Sequence, residues 1–232
     1  MKRQFGIGIG LIAVVLIAVG VWYFTSSGRA MPGSAATTTT TTVTTKNDTV
    51  ATVNGTPIMR NKLVATEVQI RTQLGVTAST SAQQAQLQTQ ALDSLIGQVL
   101  LSQAAAAAGI TASSTLVDAQ VQAAKTQLGS DAAYQQALNA QGMTEADLRT
   151  QVASGLAINT YLEQQLKLST ITASTAEIKA AYDQVAKAQT GVPPLAQVQA
   201  QVKQSVIQQK QQVLINAQVQ KLRAAADVKI LI

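Results

Sequence analysis

The side chains that could exchange protons are carboxylates in the second half of the chain: Glu145, Asp147, Glu163 and Glu177. The sequence has no His and no Cys. This composition excludes Ser-His-Asp and Cys-His nucleophilic sites, His/Cys metal sites, disulfides and a lipidated Cys anchor. Asp147 and Glu177 have the spacing of capping-box residues, and Glu145 suits a helix N-terminus. We therefore predict no enzymatic activity, no cofactor and no metal site.

The net charge of the chain is unevenly distributed along the sequence. The 232 residues carry a formal net charge of +6, and only 3% of them are aromatic. Lys2, Arg3 and Arg29 flank an apolar segment, and the charges beyond that segment nearly balance. Outside this segment the aromatic residues are tyrosines only, which gives no stacking platform for bases. We predict that the protein has no nucleic-acid partner.

An uncharged apolar run extends from Phe5 to Phe24, after a cytoplasmic tip of residues 1–4. A helix of this length spans the roughly 30 Å hydrocarbon core of a bilayer. The alternative is a cleaved signal peptide, but its apolar region is typically only about 7–15 residues long. We predict a single-pass anchor in a bacterial cytoplasmic membrane, with Lys2 and Arg3 inside and the rest of the chain extracytoplasmic.

The predicted domain organisation is an anchor at 5–24, a Thr-rich flexible linker at 25–49 and one folded domain at 50–232. Apolar periodicity, capping residues and Gly stops predict a strand and tight turn, followed by helices. The expected ranges are 50–58 for the strand and turn, then helices near 59–74, 82–108, 114–128, 131–141, 144–167, 175–187 and 195–226, and a strand at 228–232.

The final strand needs a partner, because an isolated strand leaves its backbone groups unpaired. Only the Val50–Ile58 region offers one, so the two ends of the domain should meet. The predicted fold class is mainly α, with a transmembrane helix and a small β element that joins the ends of a helical domain.

Several segments resemble the SurA/PrsA/PpiD-like family of exported chaperones and foldases. The likeness covers essentially residues 50–232. Its clearest motifs are Val50-Ala51-Thr52-Val53-Asn54-Gly55-Thr56-Pro57-Ile58, Gly142-Met143-Thr144-Glu145-Ala146-Asp147-Leu148-Arg149, Thr175-Ala176-Glu177-Ile178-Lys179-Ala180-Ala181-Tyr182 and Pro193-Pro194-Leu195-Ala196-Gln197-Val198. In the foldases that it resembles, a parvulin prolyl-isomerase domain follows the Tyr182-type helix. Here only Asp183–Val192 separate that helix from the last one, so the resemblance implies a SurA N-terminal-like chaperone module without the isomerase.

The resemblance implies a holdase that binds unfolded or newly exported polypeptides through an apolar groove. We expect client-binding residues among the apolar stripes and the adaptable methionines: Met59, Leu63, Leu95, Val99, Met143, Leu148, Leu156 and Tyr161. For each residue the competing interpretation is ordinary core packing. The alternative function is a non-catalytic helical scaffold or adaptor for a defined envelope protein.

Overall fold

The computed structural model describes residues 48–75, 80–140, 142–188 and 191–232. These residues form three strands, seven α-helices and one short 3-10 turn, Leu168–Thr170. The strands are β1 (Thr49–Val53), β2 (Thr56–Met59) and β3 (Val228–Ile230). The helices are α1 (Arg60–Gln73), α2 (Ser81–Ala107), α3 (Ser114–Leu128), α4 (Asp131–Ala140), α5 (Glu145–Leu166), α6 (Thr175–Ala188) and α7 (Leu195–Ala224).

The predicted capping boxes begin two of these helices. Thr144 and Asp147 exchange hydrogen bonds before α5: the Thr144 N–H donates to Asp147 Oδ2 at 2.9 Å, and the Asp147 N–H donates to Thr144 Oγ1 at 3.1 Å. Ser174 and Glu177 do the same before α6, at 2.7 and 3.2 Å. Each pair satisfies two backbone donors that a helix start leaves without partners. Both predictions are confirmed.

Residues with positive φ end the helices and close the hairpin. Gly109 and Gly129 have φ of +70° and +78°, so α2 and α3 stop where the sequence predicted. Asn54 and Gly55, between β1 and β2, have φ of +50° and +80°. This pair of left-handed residues forms the tight turn that matches the twist of a two-stranded hairpin.

The two ends of the folded region meet in one antiparallel sheet with the strand order β2-β1-β3. Ala51, Thr52 and Val53 of β1 pair with Ile230, Lys229 and Val228 of β3 in turn. The predicted β element that joins the ends is therefore confirmed. β3 ends at Ile230, so the strand is shorter than the predicted 228–232.

The described residues divide into two compact units. The helical unit is residues 105–159, and the sheet unit is residues 48–104 and 160–232. The chain passes from one unit to the other within α2 and again within α5. The prediction that residues 50–232 form a single domain stays a prediction.

The core of the sheet unit lies between β1 and the helices α1 and α2. Val50, Ala51 and Val53 of the central strand β1 are completely buried. Their neighbours in the core are the buried side chains Ile58, Leu63, Ala91, Leu92, Ile96 and Leu100.

The last helix also belongs to the sheet unit. Leu222 and Ala226 pack against its core. Gly97 of α2 allows α7 to approach closely, since a Cβ at this position would lie 3.3 Å from Val219 Cγ1. Packing along α2 therefore places β3 beside β1.

The helical unit has a separate core formed by α3, α4 and α5. Its buried side chains are Val117, Val121, Tyr134, Leu138, Leu148 and Val152. They recur at helical spacing on α3 and α5, as apolar periodicity predicted.

The predicted anchor at 5–24 and most of the predicted linker lie outside the described residues. In the part of the chain that the structure describes, none of the helices has the length and apolar character needed to cross a membrane.

Candidate functional site

Three of the predicted client-binding residues of the sheet unit lie in or against its core. Leu63 is only 1% exposed, whereas Leu95 and Val99 are half-buried and pack against the core cluster. Met59 is half-buried at the end of β2. Tyr161 is buried, and its hydroxyl accepts a hydrogen bond from the Gln218 side chain at 2.9 Å.

The other predicted residues belong to the helical unit. Leu148 is buried in its core, and Met143 and Leu156 pack against that core while half-buried. Leu63, Leu95 and Val99 thus lie in or against one core, and Met143, Leu148 and Leu156 in or against the other. Core packing accounts for Leu63, Leu148 and Tyr161, and a client-binding role for the set stays a prediction.

The exposed apolar side chains are different residues from the predicted ones. Among the described residues, all but Leu116 of the large exposed apolar side chains belong to the sheet unit. They are Val64, Val68, Leu74, Val185, Val213, Leu214, Ile230, Leu231 and Ile232. The sequence carried a signal for the last three, because consecutive residues of a strand point to opposite faces and cannot all be buried on one face.

The outer face of α1 shows why these side chains remain exposed. Leu63 and Ile70 direct α1 toward the core. Val64 and Val68, four residues apart, share a face turned well away from it and are 46% and 53% exposed. This face exposes two branched apolar side chains.

The helix α1 contains three basic side chains, Arg60, Lys62 and Arg71, and one acidic side chain, Glu67. Glu67 of α1 interacts electrostatically with Arg71 and Arg60. Partial burial raises the pKa of Glu67, and the two arginines oppose that rise. The net charge of α1 is positive, because three basic residues accompany this one carboxylate in the helix.

A hydrogen-bonded cluster around Asn54 holds the hairpin turn, α2 and the start of β3 together. The Asn54 N–H donates to the Asp227 carbonyl at 2.8 Å, and the Asp227 N–H donates to Asn54 Oδ1 at 2.9 Å. Asn54 Nδ2 donates to Gln103 Oε1 at 2.8 Å. Gln103 Nε2 in turn donates to the Val53 carbonyl at 3.0 Å. The cluster sets the position of β3 relative to β1.

The carboxylates that could do acid–base chemistry make structural contacts. Lys210 Nζ lies 2.8 Å from Glu177 Oε1, and this contact and the Ser174 cap lower the pKa of Glu177 to about 2. Glu163 accepts hydrogen bonds from the backbone and side chain of Ser169.

The carboxylate of Glu145, in the helical unit, also makes structural contacts. Glu145 pairs with Lys125 at 3.1 Å and with Arg149 at 3.3 Å, and the Lys125 hydrogen bond is the main cause that lowers its pKa. A general acid at neutral pH needs a raised pKa, so these shifts go in the opposite direction. Among the described residues, no group of three or more acidic side chains is placed to hold a metal ion.

Together these features define a mainly helical protein module whose ends close through a small sheet and whose sheet unit exposes apolar side chains. The family model for the SurA-like N-terminal domain matches residues 3–162, and the chain belongs to this family. A search of curated proteins finds no match.

The family match begins before the predicted anchor and ends within α5. Beyond it, α6 ends at Ala188 and α7 begins at Leu195. The connection 189–194 is far too short to contain a domain, since domains have at least about 50 residues. No parvulin domain is inserted between these two helices.

Proposed function

We propose that this protein is a membrane-anchored extracytoplasmic holdase that binds unfolded or newly exported polypeptides. The observation that carries the proposal is the concentration of exposed apolar side chains in the sheet unit of a SurA-like N-terminal domain. Exposed apolar surface costs solubility, and on folded proteins its accumulation marks interaction sites.

The kind of surface favours unfolded clients over a single tight partner. Its apolar side chains lie on α1, α6, α7 and β3, with charged and amide side chains between them. Several small apolar contacts bind segments of an unfolded chain weakly and without strict sequence requirements. Charged neighbours keep the surface soluble when no client is bound.

In this proposal, residues 5–24 anchor the protein in the bacterial cytoplasmic membrane and the linker spaces the folded region from the bilayer. The protein binds clients without prolyl-isomerase activity. Two observations support this: the sequence has no His, and residues 189–194 leave no room for a parvulin domain.

The test uses the full 232-residue chain in lipid nanodiscs and reduced lysozyme as an unfolded client. We expect the protein to slow aggregation of the client, measured by light scattering, relative to empty nanodiscs. The double substitution Val64→Ser with Val68→Ser should weaken the effect, because it removes the apolar face of α1. Leu116→Ser in the helical unit is the matched control. Wild-type protein that leaves aggregation unchanged would overturn the proposal.

The second candidate is a scaffold for one envelope protein, and the exposed face of α7 favours it. Val213 and Leu214 are exposed there, and α7 contains basic residues but no acidic ones. Such a helix suits a partner with an apolar and acidic surface. Affinity purification from membranes distinguishes the two: one stoichiometric partner favours the scaffold, and many unfolded clients favour the holdase.

A further inference from the structure

The outer edge of β3 is an open strand edge. The strand order β2-β1-β3 leaves β1 in the centre and β3 at one side. Among the described residues, no strand pairs with the side of β3 that faces away from β1. An edge strand of this kind is a template for pairing with another extended chain.

The hydrogen bonds show which backbone groups point outward. The Asn54 N–H donates to the Asp227 carbonyl at 2.8 Å, and the Leu231 N–H donates to the Val50 carbonyl at 2.9 Å. In an antiparallel ladder, residues that exchange hydrogen bonds alternate with residues that do not. Val228 and Ile230 therefore direct their N–H and C=O groups away from β1, toward the open edge.

The opposite edge of the sheet is blocked. Pro57 of β2 pairs with Thr52, and Thr52 uses its backbone groups on the β3 side. The nitrogen of Pro57 therefore lies on the outer edge of β2 and has no hydrogen to donate. Proline on an edge strand is a common protection against pairing with other chains. β3 has no such residue.

The side chains around the β3 edge are apolar. Ile230, Leu231 and Ile232 are 51%, 59% and 48% exposed. The single charge on β3, Lys229, lies 3.0 Å from Asp227 and is balanced by it. A charged edge strand repels a second strand, and this edge lacks a net charge to do so.

We propose that the outer edge of β3 binds extended segments of unfolded polypeptides as an added antiparallel or parallel strand. The inference rests on the proposed holdase function and names its binding mode. Hydrogen bonds from Val228 and Ile230 recognise backbone, which every client has, and the exposed apolar side chains favour apolar segments.

The size of the edge favours a transient client over a second copy of this chain. A strand of three residues buries only a few hundred Å² when it pairs, whereas stable protein interfaces bury about 1,200–2,000 Å². Pairing through β3 alone is thus too small to hold a dimer, but it is suited to rapid binding and release.

The test uses the full chain in nanodiscs and two fluorescent peptides of alternating valine and threonine. The peptides have the same side chains, but one carries N-methyl groups at all of its backbone nitrogens, so neither of its edges can donate hydrogen bonds to β3. We expect the unmethylated peptide to bind, measured by fluorescence anisotropy, and the methylated peptide to bind at least about tenfold more weakly. Equal binding of both peptides would overturn the proposal.

Substitutions of Ile230 test the edge by changing the protein and not the peptide. Ile230→Pro removes an outward N–H but no bond to β1, and we expect it to weaken binding at least about tenfold. Ile230→Val keeps the N–H and a branched side chain, and should bind as the wild type does. Circular dichroism melting shows whether each variant folds. The comparison of the two peptides uses the wild-type protein and so does not depend on the folding of a variant.

The outcomes separate this inference from the holdase proposal. Suppression of client aggregation that survives Ile230→Pro, together with unchanged peptide binding, leaves the holdase in place and removes the β3 edge as its site. If the wild-type protein does not suppress client aggregation, both the holdase proposal and the β3-edge proposal are overturned. A dimer that Ile230→Pro dissociates, seen by analytical ultracentrifugation, assigns the edge to a second copy and also overturns the proposal.

Discussion

The sheet unit and the helical unit expose different amounts of apolar surface although both have a buried core. In the helical unit, Leu116 is the one large apolar side chain that is strongly exposed among the described residues. The sheet unit exposes such side chains on several helices and on β3. The charges differ as well: acidic residues outnumber basic ones in the helical unit, and the reverse holds in the sheet unit.

The two units also use different secondary structure, which gives them different unpaired backbone edges. Helices satisfy their backbone groups internally, so α3, α4 and α5 bury one apolar face each and present polar faces to water. A three-stranded sheet has two edges, and each edge must be paired, blocked or left open. The sheet unit blocks one edge with Pro57 and leaves the other open. We infer that binding is concentrated in the sheet unit.

The largest expected effects come from matched core substitutions in the two units. Leu63 and Leu138 are 1% and 4% exposed in their respective cores. Leu63→Ala and Leu138→Ala should each lower the free energy of unfolding by about 2–5 kcal/mol, because each leaves a cavity. Hydrogen exchange should show lost amide protection mainly in the substituted unit. Equal loss across both units after either substitution would show that they unfold as one body.

A smaller effect is expected at the cluster that positions β3. Asn54→Ala keeps the backbone bond to the Asp227 carbonyl but removes the side-chain hydrogen bonds with the Asp227 N–H and with Gln103. It also puts Ala at φ +50°, a conformation that Asn tolerates better. We expect a loss of about 1–3 kcal/mol in urea denaturation. Asn54→Gly keeps the left-handed turn and isolates the contribution of the side chain. Unchanged stability in both variants would show that the cluster does not hold β3.

The acid dependence of the sheet unit should depend on Glu177. Its folded-state pKa is about 2, below the ordinary value of 4.5. The stabilisation is therefore present above about pH 4.5 and is lost as the pH falls toward 2. Glu177→Gln should flatten this part of the stability profile, measured by thermal melting at several pH values. The effect should be modest and salt-sensitive, because the pair with Lys210 is exposed to water.

Glu145→Gln provides the matched experiment in the helical unit, since the pKa of Glu145 is also lowered. A profile that stays the same after Glu177→Gln would contradict the contribution of Glu177 to the acid dependence, whatever Glu145→Gln does.

The smallest effect is expected for Tyr134→Phe in the helical unit. The Tyr134 hydroxyl is buried, and no partner for it is found among the described residues. Burial raises the pKa of Tyr134. Removing a buried hydroxyl without a partner should change the free energy of unfolding by less than about 1 kcal/mol, in either direction. A larger loss in chemical denaturation would indicate that the hydroxyl is hydrogen-bonded in solution.

Local signals in the sequence predicted the helices closely. The stop at Gly129, the caps at Thr144 and Ser174, and the turn at Asn54 agree with the structure because each depends on residues close together in the chain. Pairing of the chain ends was also predictable, since the Val50–Ile58 region was the one other segment predicted to form a strand. The 3-10 turn Leu168–Thr170 was missed, because it follows a left-handed Lys167 that no local signal marks.

The exposed apolar residues were harder to predict than the fold. Leu63 and Val64 are neighbours in the sequence and both have branched apolar side chains, yet Leu63 is buried and Val64 is exposed. Apolar periodicity identifies a stripe but does not say which of two adjacent stripes meets another element. The prediction therefore favoured Leu63, Leu148 and Tyr161, which pack in cores.

The sequence by itself determined the mainly helical fold class, the capping residues, the joining of the chain ends and the likeness to SurA-like proteins. These properties follow from local backbone preferences and from the need of each strand for a partner. Only the tertiary structure decided that apolar exposure is concentrated in the sheet unit. It also decided that the backbone N–H and C=O groups of Val228 and Ile230 point away from β1. Those properties depend on strand order, register and helix packing, which are set by contacts between residues far apart in the chain.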